Sequence, residues 1–289
     1  VPYALAAPTW ALLGVFFLAP LTVMLGVSFL PRSPYGGVGE VADWGAYLTS
    51  GEWLANYAKS LDALYHPIYR RSVWMAVLTT ILTFLVSYPL AYYIAILAPR
   101  RRKNLLLGLV VVPFWTSFLI RTYAWMPLLR DEGLINTLLQ NLGLIDAPLN
   151  LLYNQTAVML GLVYAELPFM ILPLYVSLEK LDRTLLEASH DLGAGPVQTF
   201  LRVTLPLTLP GVVAGVILVF IPSLGQFVVS DLLGGAKSML VGNLIQNQFK
   251  AANHPAFGFA VAFELMAAVL ALLLAYAWWA KRRGEEVML

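Results

Sequence analysis

The chain has 289 residues, 60% of them apolar and only 12% charged, with a formal net charge of +2 and a mean hydropathy of +0.75. A soluble domain draws about a quarter of its residues from the charged set, and 18 basic plus 16 acidic side chains cannot cover the surface of a soluble chain this long. A soluble enzyme and a disordered regulator are thereby excluded. So is a nucleic-acid binder, because the basic residues gather on no single face that would neutralise a phosphate backbone. An integral membrane protein remains.

One crossing needs about 20 apolar residues at roughly 1.5 Å each, and six segments supply them: 8–30, 72–98, 104–129, 154–178, 207–230 and 255–280. The first has no basic region before it and no small-residue cleavage site, so it reads as a retained helix and not a removed leader. The second is uncharged and long enough to require tilt. The third crosses Arg121, the fourth contains Glu166, the fifth carries no charge and the sixth contains Glu264. Pro20, Pro89, Pro113, Pro168, Pro173 and Pro222 punctuate the spans. They read either as packing kinks, which lipid-embedded helices tolerate, or as breaks in helices that line a path. The composition thus predicts an all-α integral membrane protein, a single transmembrane domain over 1–289.

Lys and Arg set the direction of insertion. With six crossings, Arg100, Arg101, Arg102, Lys103, Lys180, Arg183, Arg202, Lys281, Arg282 and Arg283 fall in short loops on one side. Arg32, Lys59, Arg70, Arg71, Arg130, Lys237 and Lys250 are spread through longer loops on the other. The dense side is read as cytoplasmic, which puts both termini there and turns loops 31–71, 130–153 and 231–254 outward. Trp44, Tyr47, Trp53, Tyr57, Tyr65 and Tyr69 crowd the first outer loop, where an aromatic belt and short amphipathic helices are expected.

The loop 179–206 between the fourth and fifth spans is patterned as two short helices. Thr184-Leu185-Leu186-Glu187 reads as a capping box, with Thr184 the cap and Glu187 reaching back. Gly193 suits a left-handed stop, and Pro196 suits the first turn of a second helix. That helix carries an apolar stripe at Val197, Phe200, Leu201 and Thr204. A helix–turn–helix this small is either a docking element or a loop packed on the chain's own helices.

Glu187-Ala188-Ser189, then Gly193 after three residues, then Val203-Thr204-Leu205-Pro206 after nine more, is similar to the EAA signature of type I ABC importer permeases. Ser189 stands where the signature has a second alanine, and Val203 where it has isoleucine. The resemblance extends over nearly the whole chain and narrows to spermidine/putrescine permeases. It is carried by Pro113-Phe114-Trp115-Thr116-Ser117-Phe118-Leu119-Ile120-Arg121-Thr122-Tyr123-Ala124-Trp125, Gly133-Leu134-Ile135-Asn136, Leu167-Pro168-Phe169-Met170 with Pro173-Leu174-Tyr175, Phe220-Ile221-Pro222-Ser223, and Ser230-Asp231-Leu232-Leu233-Gly234-Gly235-Ala236-Lys237. The resemblance implies six transmembrane helices of the type I ABC importer (MetI-like) permease fold, with a cytoplasmic coupling helix. Glu187, Ala188, Ser189, Asp191, Gly193, Leu205 and Pro206 would then meet an ATPase subunit. The implied partners are a homologous second permease forming a heterodimer, two ATP-binding cassette subunits that hold the ATP and Mg, and an extracytoplasmic substrate-binding protein, all in membrane lipid at the bacterial cytoplasmic (inner) membrane. The implied function is ATP-driven import of a polyamine, or of a similar small cation, by alternating access.

Ionisable groups inside a membrane cost several kcal/mol unless paired or hydrated. Glu166 reads as a path residue or as one with a buried partner. Glu264 reads as a helix–helix hydrogen bond or a path residue, and Asp231 as a solvated interface acid or a receiver of cations. Arg121 either snorkels outward or pairs with an acid in another span. A polyamine site needs carboxylates for the amines and aromatic faces for cation–π contact. The candidate path residues are therefore Trp115, Tyr164, Glu166, Phe227, Asp231 and Glu264, with Trp125 a further aromatic face. No metal site or catalytic residue is expected: the chain has no cysteine, and His66, His190 and His254 match no metal-ligand spacing. No phosphate loop is present, since Gly235-Ala236-Lys237-Ser238 lacks the glycine before the lysine. Gly37-Val38-Gly39 is a partial dinucleotide match with no strand before it. A permease for another small solute is the near alternative. An ATP-independent carrier or channel is the distant one, weakened by the lack of an inverted repeat of broken helices.

Overall fold

The computed structural model describes residues 2–235 and 238–282; Ala236, Lys237 and Arg283, used above for a loop motif and for the charge count, lie outside the described residues. Regular structure among the described residues is helical apart from one isolated bridge between Arg32 and Val38. A bilayer offers no water to a bare backbone, and a helix satisfies its own. In chain order the helices are α1 (Pro8–Ser28), α2 (Trp44–Ser50), α3 (Ala55–Ser60), α4 (His66–Leu97), α5 (Arg100–Trp115), α6 (Phe118–Leu129), α7 (Leu134–Asn141) and α8 (Gln155–Glu179). They continue as α9 (Arg183–Asp191), α10 (Pro196–Leu207), α11 (Leu209–Gly225), α12 (Val228–Leu233), α13 (Val241–Lys250) and α14 (Pro255–Arg282).

α1, α4, α8 and α14 are each long and apolar enough to cross a membrane alone. Two bent pairs bring the number to six when each pair is counted as one span: α5 with the arm Phe118–Asn141, bent by 93°, and α10 with α11, bent by 71°. Counted so, the third and fifth crossings, marked in the sequence as single spans over 104–129 and 207–230, are broken helices. In the third, Pro113 has no N–H to give, and Thr116 and Ser117 turn to extended backbone at ψ 154° and 133°. In the fifth, Thr208 leaves the helical region at ψ 6°, and Pro210 follows as the second residue of α11. The fifth also ends early: Gln226 is extended, so Ser230 and Asp231 sit on the separate short helix α12. Pro89, Pro168, Pro173 and Pro222 all stay inside continuous helices.

The chain divides into two compact units, one being Ile68–Asn243 and the other the described residues before and after it. In Ile68–Asn243 the axis is α8, of whose apolar stretch 61% is buried, against 6% for α1 in the other unit. One apolar cluster joins Met75 of α4, Leu129 of α6, Val158 and Leu162 of α8, and Val229 and Leu233 of α12. A second joins Tyr88 and Ala91 of α4, Met170, Leu174 and Leu178 of α8, and Val219 of α11. Glycines set the spacing. A Cβ on Gly211 would meet the Cβ of Ser177 and, at 2.7 Å, the carbonyl of Pro173; one on Gly215 would lie 2.6 Å from the Met170 sulfur. Gly161 admits Val229 and Leu233 at 2.7 and 2.6 Å in the same way.

In the other unit, α1 packs along α14, and the loop after α1 closes over its carbonyl end. Asn56 Nδ2 donates to the carbonyls of Ser28 and Leu30, both at 2.9 Å, and the Tyr47 hydroxyl donates to that of Phe29 at 2.8 Å. The Tyr57 hydroxyl meets Ser28 Oγ at 2.7 Å. The expected short helices are present as α2 and α3, with Asp43 capping α2 through the amides of Gly45 and Ala46. Tyr47, Tyr57 and Trp53 of the aromatic set anchor this loop around Phe29, while Trp44 is exposed. His254 is buried just before α14, stacked 5.7 Å from Phe257.

Two expectations follow. Gly211→Ala places a methyl against a backbone carbonyl that cannot swing away, and overpacking of this kind costs about 1–3 kcal/mol; thermal unfolding in detergent should show the loss, while Gly108→Ala, with open space at its Cβ, should show none. Burial, then Lys59 and Arg32, push His254 down to about 4 from 6.5. Below pH 6.5 the unfolded chain takes up a proton that the folded one refuses, so stability should fall from about pH 6.5 to about 4 and then level off. Melting temperatures against pH should show this slope, and His254→Gln should flatten it.

Candidate functional site

The loop after α8 folds as a tight helical elbow. α9 is capped by Asp182, whose carboxylate accepts from the Thr184 amide at 3.0 Å. The expected cap at Thr184 is thus two residues late: Thr184 lies inside the first turn, and the position that a capping box gives to glutamate holds Leu185. An aspartate also gains from the positive end of the helix, and the Thr184 amide and hydroxyl hold its carboxyl below the usual range. At the other end the Leu192, Gly193 and Ala194 amides donate to the carbonyls of Ala188, His190 and Ser189, at 3.1, 2.9 and 3.0 Å. This closure needs Gly193 at φ 81°, the left-handed region that glycine enters freely.

Ser189 is buried and faces inward. Its hydroxyl bonds the Leu186 carbonyl at 2.8 Å and Thr199 Oγ1 of α10 at 2.9 Å, which ties the two helices of the elbow together. Glu187, Ala188, Asp191 and Gly193 are exposed, as are Leu185, Leu192, Val197 and Leu201. Leu192 is 89% exposed, an unusual cost for a leucine with nothing over it. Leu205 packs on the second apolar cluster, and Pro206 is exposed beside it. Of the seven expected coupling residues, four therefore share the exposed surface of the elbow, Ser189 lies beneath it, and Leu205 and Pro206 belong to its root.

The root joins the elbow to the spans. Thr208, at the bend into α11, is fully buried; its hydroxyl bonds the Thr204 carbonyl at 2.8 Å and the Tyr88 hydroxyl of α4 at 2.7 Å. Tyr88 also stands edge-on to Phe200 at 5.2 Å. A cavity of about 470 Å³ opens there, lined by Phe84, Tyr88, Tyr92, His190, Phe200 and Thr204 among others.

At the break in the third crossing, Tyr164 of α8 meets Phe114 at 6.1 Å and Trp125 at 5.5 Å, while Trp115 is 82% exposed. Arg121 pairs with no acid among the described residues. Its guanidinium lies over Phe114 at 4.0 Å, with Nε and Nη1 buried and without a hydrogen-bond partner among the described residues. The cation–π face of Phe114 is thus taken by the chain itself. Glu166 is 4% exposed, and its Oε2 has no partner among the described residues. Phe227 and Asp231 come together at the break after α11. Asn243 Nδ2 donates to the Phe227 carbonyl at 3.1 Å and to the Asp231 carboxylate, and Asp231 itself is exposed. Asn243, which carries this junction, had no signal in the sequence, being one of four amides within 243–248. Glu264 belongs to the other unit, where its carboxylate accepts from Ser60 Oγ. No group of three metal-ligating side chains exists among the described residues.

Several matched motifs prove to be structural. A Cβ on Gly133 would lie 2.6–2.8 Å from the carbonyls of Leu128, Arg130 and Pro127. The fully buried Asn136 donates to the carbonyls of Arg130 and Leu149, at 3.1 and 2.9 Å, and accepts from the Leu149 amide at 2.9 Å. Gly234 likewise has no room for a Cβ beside Ser238 and the Ser230 carbonyl.

The model of the family described as binding-protein-dependent transport system inner membrane component matches residues 87–284. The chain is 43% identical over 273 residues to the spermidine/putrescine transport system permease protein PotB of Salmonella typhimurium, covering 94% of this chain and 90% of that protein. It is 42% identical to the protein of that name in Escherichia coli, covering 94% of each. The fold is similar to that of a chain in the crystal structure of a bacterial alginate ABC transporter in complex with alginate pentasaccharide-bound periplasmic protein. There the TM-score is 0.72 over 99% of this chain and 95% of that one; at 15% identity the likeness is one of fold alone.

The hydroxyl pair in the elbow is testable. Ser189→Ala removes one partner and leaves Thr199 Oγ1 buried without it, a change worth about 1–3 kcal/mol. Hydrogen exchange of the α9 amides should accelerate, with the exchange of α8 unchanged.

Proposed function

Because the chain belongs to the family of binding-protein-dependent transport system inner membrane components, and is the permease subunit of an ABC importer, we propose that the solute it moves is a polyamine: spermidine, putrescine or a small cation like them. The observation that carries this reading is identity of 42–43% over 94% of the chain with spermidine/putrescine permeases. The chemistry at the junction after α11 is compatible with it, since Asp231 is an exposed residue whose carboxylate is held by Asn243, the same amide that bonds the Phe227 carbonyl. Glu166 offers a second carboxylate with an oxygen to spare for an amine.

In this reading the chain pairs with a homologous second permease in the bacterial inner membrane, with both termini cytoplasmic. Two ATP-binding cassette subunits, which hold the ATP and Mg, dock on the exposed surface of the elbow around Leu185, Glu187, Ala188, Leu192 and Gly193. An extracytoplasmic binding protein delivers the solute to the outer loops. ATP binding draws the two elbows together and opens the path outward; hydrolysis resets it. The stapled elbow and the Thr208–Tyr88 contact support this reading, because a docking element moves the spans only if it is firmly joined to them.

The test is reconstitution with the ATPase and binding-protein partners in vesicles. Spermidine or putrescine should stimulate ATP hydrolysis and be taken up; stimulation by some other solute alone would overturn the substrate. Gly193→Val forces a β-branched residue into the left-handed region at a cost of about 1–2 kcal/mol. It should leave hydrolysis intact and lower uptake per ATP severalfold, and wild-type uptake would remove the docking role from the elbow.

A further inference from the structure

A second cavity, of about 830 Å³, lies where α4 ends, α5 begins and α8 ends. Arg100, Lys103 and Arg183 line it, with Glu179 as the one acid, so its wall carries an excess of positive charge. Lys103 Nζ donates to the Ala95 carbonyl at 2.6 Å and pairs with Glu179 at 3.2 Å. Arg183 Nη2 reaches the same carbonyl at 3.4 Å. Two cations thus converge on one carbonyl and one carboxylate, and Arg100 stands exposed at the rim. A polyamine is repelled from such a wall, whereas a phosphodiester is drawn to it.

Depth and apolar surface narrow the ligand further. The cavity sits at the ends of the apolar spans α4 and α8, the level at which a bilayer carries its headgroups. Leu97, in its lining, is 62% exposed. Leu105 and Leu109, one turn apart on the adjoining α5, are 64% and 63% exposed. An apolar strip running from a basic cavity is the surface complement of an amphiphile with an anionic head. We propose that this cavity seats the headgroup of an anionic phospholipid, with an acyl chain along Leu105 and Leu109. Since Arg183 is the first residue of α9, the lipid touches the elbow as well as the spans.

The assembled importer, extracted from vesicles of equal parts phosphatidylglycerol and phosphatidylcholine, tests this by native mass spectrometry of the retained lipids. The wild type should retain phosphatidylglycerol in preference. Arg100→Gln, an exposed position whose change leaves the fold intact, should lower that preference about fivefold, the weight of one cation at an anionic membrane surface. Arg102→Gln, an exposed cation of the same helix that does not line the cavity, should retain it. Equal retention of the two lipids by the wild type, or an unchanged preference in Arg100→Gln, overturns the proposal. Displacement of the phosphatidylglycerol by millimolar inorganic phosphate overturns it too, by showing a site for a free anion.

Discussion

The approach of α11 to α8 through Gly211 and Gly215 is the contact on which the unit Ile68–Asn243 depends. Lipid tails are as apolar as leucine, so burial from water does not press two spanning helices together; they hold by touching closely enough for dispersion to add up. Glycine at the crossing brings backbone to backbone, and Met170 and the leucines of the second cluster then close around it. The elbow hangs from this pair, since α9 follows directly from α8 and α10 leads directly into α11. At the far end, Gly161 repeats the device for α12.

A chain that breaks its helices inside the membrane must find partners for the groups it frees. At Thr208 the hydroxyl turns back to the preceding turn and across to Tyr88, while Ser177 lies 3.5 Å from the Thr208 carbonyl. At the end of α11, Asn243 serves the Phe227 carbonyl, and Gln226 Oε1 accepts from the Val228 amide at 3.1 Å. Beyond α6, Asn136 closes the loop before α8. The breaks at Thr208 and after α11 each have their own polar partner, and Asn136 lies within one of the segments by which the sequence resembles the permease family. Part of what makes that segment recognisable is the chemistry of partnering freed backbone groups.

The uninterrupted crossings were legible because 20 or so apolar residues have few other uses. The elbow was legible because Gly193 and Pro196 act locally. The broken crossings were not: Pro113 marks a break, yet Pro89, Pro168, Pro173 and Pro222 look the same in sequence and sit inside intact helices. Whether a proline kinks or ends a helix is decided by neighbours distant in the chain. The cap of α9 was misplaced because Asp182 and Thr184 are both good caps two residues apart, and only the path of the chain leaving α8 chooses between them. The partner of Arg121 was illegible for a related reason: it is the face of Phe114, seven residues behind it across a break that the sequence does not announce.

Ser189 stands where the family signature has an alanine, and its hydroxyl meets Thr199 across the elbow. A docking element that transmits motion is a lever, and a lever is useful in proportion to its stiffness. With alanine there, the two arms would keep the backbone bonds of the turn but lose the side-chain bond between them. The hydroxyl pair adds a directional restraint between the two arms. If the elbow docks a motor as proposed, compliance in it would absorb part of every stroke delivered to it, and a single oxygen atom would then bear on how much of that displacement reaches Thr208 and the spans beyond.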